Sequence, residues 1–118
     1  MSKSEKILIV DDQYGIRTLL TLVFEKYDVK EAENGQQALE LVESWKPDLV
    51  IIDMKMPVLN GPDTISSIKK MKFKPKILLM TAYDENYLIN DKDISGFVSK
   101  PFDLDKLVTM VDEILQNS

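Results

Sequence analysis

The sequence contains no cysteine and no histidine, and these two absences exclude several kinds of functional site. Without cysteine there can be no disulfide, no thiolate metal site and no cysteine nucleophile. Without histidine there can be no Ser-His-Asp triad, no histidine-ligated zinc and no phosphohistidine on this chain. Binding and catalysis must therefore depend mainly on oxygen atoms and basic side chains.

The sequence also lacks a long apolar run. No stretch approaches the roughly 20 apolar residues that cross a bilayer, and the polar residues 1–4 do not resemble a secretory signal. We therefore expect a cytoplasmic protein with no membrane association. The net charge of −5 disfavours nucleic-acid binding, because phosphate backbones attract basic surfaces. The acidic balance favours a basic protein partner or a bound cation instead.

Short apolar runs alternate with amphipathic segments along the chain. Runs that are apolar on both faces are typical of strands in a covered parallel sheet, and they occupy residues 6–10, 48–52, 76–80 and 96–99. A weaker strand candidate is residues 28–32, which read DVKEA. Apolar residues at helical spacing predict the helices, over residues 14–26, 34–45, 62–71, 84–93 and 104–115. The segment 84–93 contains several poor helix formers, so this helix is expected to be short or frayed.

This alternation predicts an α/β fold of the (βα)₅ flavodoxin-like type, with a doubly wound parallel sheet in strand order 2-1-3-4-5 and helices on both faces. Residues 1–118 are expected to form a single domain. In such sheets, ligands bind beyond the carboxyl ends of the strands, at the switch point between strands 1 and 3.

Polar side chains follow four of the predicted strands at that edge. Asp11 and Asp12 follow strand 1, Asp53 follows strand 3, Thr81 follows strand 4 and Lys100 follows strand 5. Clustered carboxylates repel each other unless a positive charge joins them, and oxygen ligands alone favour Mg²⁺ or Mn²⁺. A lysine and a hydroxyl can bind phosphate oxygens, and a carboxylate nucleophile would form an aspartyl phosphate. The pattern therefore indicates metal-assisted phosphoryl transfer.

The motifs ILIVDDQYGIR, LVIIDMKMPVLNG, ILLMTAYD and FVSKPFD resemble the receiver domains of two-component response regulators. The resemblance implies that Asp53 is the phosphoacceptor and that Asp11, Asp12, Asp53 and the main-chain carbonyl of Lys55 hold the metal. It also implies that Thr81 and Lys100 bind the phosphoryl oxygens. Further implications are a cis peptide between Lys100 and Pro101, and an aromatic switch position at Phe97.

Within this family, the residues around Asp11 and Asp53 look most like the stand-alone phosphotransferases of bacilli's sporulation phosphorelay. That resemblance implies a monomer without an output domain, which takes phosphate from a sensor histidine kinase and passes it to a histidine phosphotransferase. The family resemblance implies that Lys55 and Tyr83 flank the approach of water to the phosphoryl group. Because neither side chain is a carboxylate or an amide that could orient that water, we expect slow self-dephosphorylation. Because a helical partner must bring its histidine up to Asp53, we expect a contact patch at Gln13, Tyr14, Gly15, Ile16, Pro101 and Phe102, although Tyr14 and Ile16 could equally be core residues of their helix.

Three alternatives are weighed against this interpretation. The chain could be the receiver part of a longer regulator with a DNA-binding or other output domain. A haloacid-dehalogenase-like phosphatase would need a second Asp two residues after its nucleophile, where this chain has Lys55. A flavodoxin-like nucleotide or flavin binder would need a Gly- or Ser/Thr-rich loop after strand 1, where this chain has Asp11 and Asp12.

Overall fold

The structure is a computed structural model that describes residues 5–56, 58–81, 94–100 and 103–116. Its strands are β1 (Lys6–Val10), β2 (Asp28–Ala32), β3 (Leu49–Asp53), β4 (Lys76–Thr81) and β5 (Gly96–Ser99). Its helices are α1 (Tyr14–Val23), α2 (Gly35–Trp45), α3 (Gly61–Lys69) and α4 (Leu104–Gln116). The helix predicted over residues 84–93 lies outside the described residues.

All five strands are parallel and form one sheet in the order β2-β1-β3-β4-β5. This arrangement confirms the predicted fold class and strand order. The strand order reverses between the neighbours β1 and β3. From β1 the chain crosses to β2 on one side, and from β3 it crosses to β4 on the other side. No helix in the described part of the chain has the length and apolarity that a bilayer crossing requires.

The strand side chains alternate between two hydrophobic cores, one on each face of the sheet. On one face, Ile9 and Ile51 pack with Leu20 of α1 and Val111 of α4. On the other, the strand residues pack with Ala38 and Val42 of α2 and with Ile65 and Ile68 of α3. The central strands β1, β3 and β4 are therefore apolar on both faces because helices cover both faces, whereas the edge strands β2 and β5 are more exposed.

Several predicted boundaries were wrong by one to three residues. β3 begins at Leu49 and includes Asp53, because Asp48 precedes the strand and accepts a hydrogen bond from the main-chain N–H of Lys6, 2.8 Å long. α1 ends at Val23 and not at residue 26, because Phe24 leaves the helical conformation, with φ −105° and ψ 28°. Its buried ring packs at a tilt against Tyr27, with 6.3 Å between the ring centroids.

The other helices begin and end close to the predicted residues. α3 spans Gly61–Lys69 instead of residues 62–71, and α4 runs one residue past its predicted end. Side chains cap the start of two helices: the Asn34 side chain accepts from the N–H of Gln37, and the Asp103 carboxylate accepts from the N–H of Asp105, both at 2.9 Å. These side chains satisfy N–H groups that the first helical turn leaves without partners.

Gly61 allows α3 to start directly against the end of β3. A Cβ at this position would lie 2.6 Å from the carbonyl oxygen of Asp53 and 2.9 Å from the Cα of Met54. The N–H of Gly61 donates to the carbonyl of Met54 at 2.9 Å, which holds the two segments together. Gly61 therefore helps to fix the position of Asp53 through the main chain.

We expect Gly61→Ala to lower the free energy of unfolding by about 1–3 kcal/mol, because the added methyl group must push apart two main-chain segments. Gly15→Ala is the matched control, since a Cβ at Gly15 meets nothing within 4 Å. This control should leave stability unchanged or raise it by up to about 1 kcal/mol, because alanine favours helix. Urea unfolding of both variants is the measurement, and equal effects would contradict the steric explanation.

Candidate phosphoacceptor site

The polar residues predicted at the strand ends lie at one edge of the sheet. Asp11 directly follows β1, Asp53 is the last residue of β3, Thr81 is the last residue of β4 and Lys100 directly follows β5. Because the strands are parallel and in register, these residues meet at the carboxyl edge. Asp12 adjoins Asp11 and is exposed.

Three carboxylates form the centre of this edge. One carboxylate oxygen from each of Asp11, Asp12 and Asp53 lies within 4.8 Å of the other two. Asp11 is fully buried, and Asp53 is largely buried. The carboxylate of Asp11 accepts from the N–H of Gln13 at 2.9 Å, so the start of the loop after β1 orients it.

Lys100 supplies the positive charge that joins two of these carboxylates. Its Nζ lies 3.1 Å from Oδ2 of Asp11 and 3.2 Å from Oδ1 of Asp53. The main-chain N–H of Lys100 donates to the carbonyl of Thr81 at 2.8 Å, which ties the lysine to the end of β4. The ammonium group therefore lies between the ends of β1 and β3.

Burial and charge shift the proton affinities of this pair. Burial and the nearby Asp11 carboxylate raise the pKa of Asp53 to about 6, although Lys100 acts in the opposite direction. Burial alone would lower the pKa of Lys100, but the carboxylates of Asp53 and Asp11 outweigh it and raise that pKa. Lys100 thus stays protonated, while Asp53 is ionised for the most part at neutral pH.

The residues at this edge fit a hard divalent cation and a phosphoryl group. The carboxylate oxygens of Asp11, Asp12 and Asp53 are the ligand type that Mg²⁺ prefers, and one member of the group is open to solvent. The hydroxyl of Thr81 is buried and has no hydrogen-bond partner among the described residues. A buried hydroxyl without a partner is costly, so an incoming oxygen atom would relieve that cost.

The described residues of the predicted contact patch differ in their exposure to solvent. Gln13, Tyr14 and Gly15 are exposed, with 73% of the Tyr14 side chain accessible. Ile16 is partly buried and packs on the core beneath α1, so it is at least partly a packing residue. Pro101 and Phe102 lie outside the described residues, and with them the predicted cis peptide.

The remaining named residues are placed as follows. Lys55 is exposed just after β3, and Phe97 on β5 is 39% exposed, whereas Tyr83 is not among the described residues. The switch role of Phe97 stays a prediction. Met54 is buried and Met56 partly buried against the core over α2 and α3.

Two apolar residues at the surface of α1 were not anticipated. Leu19 is 38% exposed and Leu22 is 62% exposed. Gly15, Leu19 and Leu22 are spaced four and three residues apart, so they share one face of the helix. Ile16, Leu20 and Val23 form the buried side of α1, and Leu22 does not fit their helical spacing. That misfit is the sequence signal from which the exposure of Leu22 could have been predicted.

Val58 is a second residue that sequence reasoning missed. It is 78% exposed and adopts φ 72°, in the left-handed region that β-branched residues rarely enter. Nothing in the residue pattern required this conformation. The exposed side chain follows β3 closely and lies in the connection between Asp53 and α3.

Comparison with known proteins agrees with the fold. Residues 7–112 match the family described as "Response regulator receiver domain". The chain is 43% identical to sporulation initiation phosphotransferase F of Bacillus subtilis (strain 168), over 95% of this chain and 94% of that protein. It is 35% identical to the alkaline phosphatase synthesis transcriptional regulatory protein PhoP of the same organism, over 98% of this chain and 50% of that protein.

A solved structure supports the same assignment. The signal receiver domain of an HD domain-containing protein from Pseudomonas fluorescens Pf-5 is 28% identical and superposes with a TM-score of 0.89, covering 98% of this chain and 97% of that one. The chain belongs to the response regulator receiver domain family. It is accordingly a phosphoryl acceptor of the response-regulator type, which confirms the resemblance and the coarse function predicted from the motifs.

The raised pKa of Asp53 predicts a pH-dependent gain in stability for Asp53→Asn without metal. Between pH values of about 4 and 6 the folded state holds the Asp53 proton more tightly than the unfolded state, so the wild type loses stability as pH rises. The neutral amide avoids this loss. We expect Asp53→Asn to be more stable by about 1–3 kcal/mol at about pH 7.5 and to match the wild type at about pH 4.

Urea unfolding in a chelating buffer measures this difference. Asp28→Asn is the control, because Asp28 is exposed at the start of β2, at the opposite end of the strands from the cluster. It should show no comparable gain. A gain for Asp53→Asn that is the same at both pH values would contradict the assigned cause.

Proposed function

We propose that this receiver domain takes a phosphoryl group from the phosphohistidine of a sensor histidine kinase onto Asp53 and relays it to a histidine phosphotransferase. The reaction depends on Mg²⁺, with Mn²⁺ as a substitute. The observation that carries the proposal is the contact of Lys100 Nζ with Asp53 Oδ1 at 3.2 Å within the group of three carboxylates. The 43% identity to a sporulation initiation phosphotransferase supports a place in a sporulation-type phosphorelay.

Each polar residue at the edge has a proposed role in the transfer. A Mg²⁺ held by Asp11, Asp12, Asp53 and the Lys55 carbonyl would supply charge neutralisation for the phosphoryl oxygens. An oxygen of ionised Asp53 forms the new P–O bond while the P–N bond to the donor histidine breaks, and the imidazole leaves with the electron pair. Lys100 and the Thr81 hydroxyl bind phosphoryl oxygens and stabilise the developing charge. Onward transfer is the reverse, with a neutral histidine as acceptor.

The proposal includes an exposed helix face as the surface where helical partners dock. The face comprises Gly15, Leu19 and Leu22, with Gln13 and Tyr14 at its start next to the carboxylates. Arg17, near the start of α1, donates hydrogen bonds to the Asp11 carbonyl at 2.8 Å and to the Glu31 carboxylate at 3.0 Å. These bonds hold α1 against the acceptor edge, so a partner bound on α1 is positioned relative to Asp53.

Slow self-dephosphorylation is a further part of the proposal. Lys55 is exposed next to the acceptor strand and presents neither a carboxylate nor an amide to orient an attacking water. Its long side chain can cover the phosphoryl group instead. Lys55→Asn should therefore shorten the lifetime of the purified phosphoprotein, and an unchanged or slower decay would count against this role.

A receiver that forms part of a longer regulator is the second candidate. The match to PhoP, of which this chain covers 50%, raises this candidate, but the 94% coverage of sporulation initiation phosphotransferase F does not favour it. The single-domain organisation over residues 1–118 and the absence of an output domain therefore stay part of the proposal. The full coding sequence at the natural locus distinguishes the two candidates.

The acceptor assignment predicts that Asp53→Asn abolishes phosphorylation by acetyl phosphate and Mg²⁺, because the amide is not a nucleophile for this reaction. Intact-mass analysis should show one added phosphoryl group on the wild type and none on the variant. Asp28→Asn should be phosphorylated like the wild type, and a chelator should remove the modification in both. A phosphorylated Asp53→Asn protein would refute the assignment.

The docking assignment predicts that Gly15→Gln slows transfer from a phosphorylated histidine kinase by about tenfold or more, because the added side chain blocks close helix approach. Phosphorylation by acetyl phosphate should be unchanged, since a Cβ at this position would meet no described atom within 4 Å beyond its chain neighbours and its own helix backbone. Ser66→Gln, at an exposed position of α3, is the control. Equal losses with both donors would indicate a structural effect instead.

A further inference from the structure

The lysines of this acidic protein are unevenly distributed. Residues 69–76 read KKMKFKPK and contain five of its 15 basic residues, and no Asp or Glu occurs in residues 64–83. Lys70, Lys72 and Lys74 are exposed, while Met71 and Phe73 between them are partly buried. The segment thus turns its lysine side chains toward solvent and its apolar side chains partly into the protein.

This segment lies at the opposite edge of the sheet from Asp53. It connects the end of α3 to the start of β4, so it lies at the amino ends of the parallel strands. Lys46, which follows α2 and precedes β3, comes to the same edge. The six residues of β4 separate the two edges by about 20 Å.

A groove of about 400 Å³ opens between this segment and the end of α2. Val42, Met71 and Phe73 contribute its apolar lining, and Lys46, Lys72 and Glu43 contribute its charged groups. Lys46 Nζ lies 5.9 Å from the centroid of the Phe73 ring and donates to the carbonyl of Glu43 at 3.0 Å. The groove therefore combines an apolar floor with a basic rim.

The five lysines of residues 69–76 form no salt bridge within the described part of the chain. Among the residues that the structure describes, Glu43 is the acidic residue that lines the groove, and the hydrogen bond from Lys46 reaches its carbonyl and not its carboxylate. An anionic partner would thus find unpaired lysines around an apolar pocket.

We propose that this groove binds an acidic segment of a partner protein, with one apolar side chain inserted between Met71 and Phe73 and with flanking carboxylates on Lys46, Lys72 and Lys74. A concave apolar floor suits an inserted side chain, whereas a flat bilayer cannot reach it. The net charge of −5 repels an extended polyanion such as nucleic acid or an anionic membrane, but a short acidic segment senses mainly the local lysines. Because the groove and the acceptor lie at opposite edges, the segment can bind while α1 is occupied.

The test is an NMR titration of the ¹⁵N-labelled full chain with a short peptide that has one Phe between acidic residues. Shift changes should centre on residues 42–46 and 69–76, and binding should weaken as salt rises. The double variant Lys72→Gln/Lys74→Gln should weaken peptide binding by about tenfold. The control double variant Lys26→Gln/Lys106→Gln changes the net charge by the same amount and should leave peptide binding unchanged. Both doubles should accept phosphate from acetyl phosphate at the wild-type rate, which separates this proposal from the function of Asp53.

Three results would overturn the proposal. One is the absence of shifts in these residues at millimolar peptide. A second is an equal effect of the two double variants, which would indicate nonspecific attraction. The third is tighter binding of single-stranded DNA or of phosphatidylserine vesicles through the same lysines, which would assign the groove to a different class of partner.

Discussion

The candidate site depends on one ammonium group held between two carboxylates. Lys100 lies 3.1 Å from Asp11 and 3.2 Å from Asp53, and it reaches them from the far side of β4. Its charge offsets the repulsion among the three carboxylates that share this edge. The lysine therefore stabilises the three clustered carboxylates in the folded protein. Lys100 and the carboxylates are far apart in the sequence, but they meet because the strands that carry them are parallel.

The rest of the molecule makes this contact possible. Two apolar cores fix the strands from both faces, so the strand ends have little freedom. Main-chain bonds then orient the ends: Lys100 N–H to Thr81, Met54 N–H to Met80 and Asp11 N–H to Ala32, at 2.8, 2.9 and 3.1 Å. The side chains at this edge are the groups that a bound ligand would contact. A rigid frame with a few unsatisfied groups is the arrangement that phosphoryl transfer requires, since that chemistry depends on positioning and charge.

The sequence predicted features that depend on local pattern and failed on features that depend on packing. The strands could be found because their apolar runs are buried on both faces, and the grouping of Asp11, Asp53 and Lys100 followed from the geometry of parallel strands. The end of α1 could not be found, because Phe24 leaves the helix to pack beside Tyr27. Likewise, the exposure of Leu22 and the positive φ of Val58 depend on backbone paths that no residue pattern specifies.

The short hydrogen-bonded link between β3 and α3 has a consequence for protein engineering. Met54 is bonded to β4 through its N–H and to Gly61 through its carbonyl, so both ends of the intervening connection are anchored to the frame. Lys55 and Val58 are exposed in that connection. The segment can thus serve as an exchangeable cassette, in which side chains beside the acceptor are varied in a library while the frame that carries Asp53 stays constant.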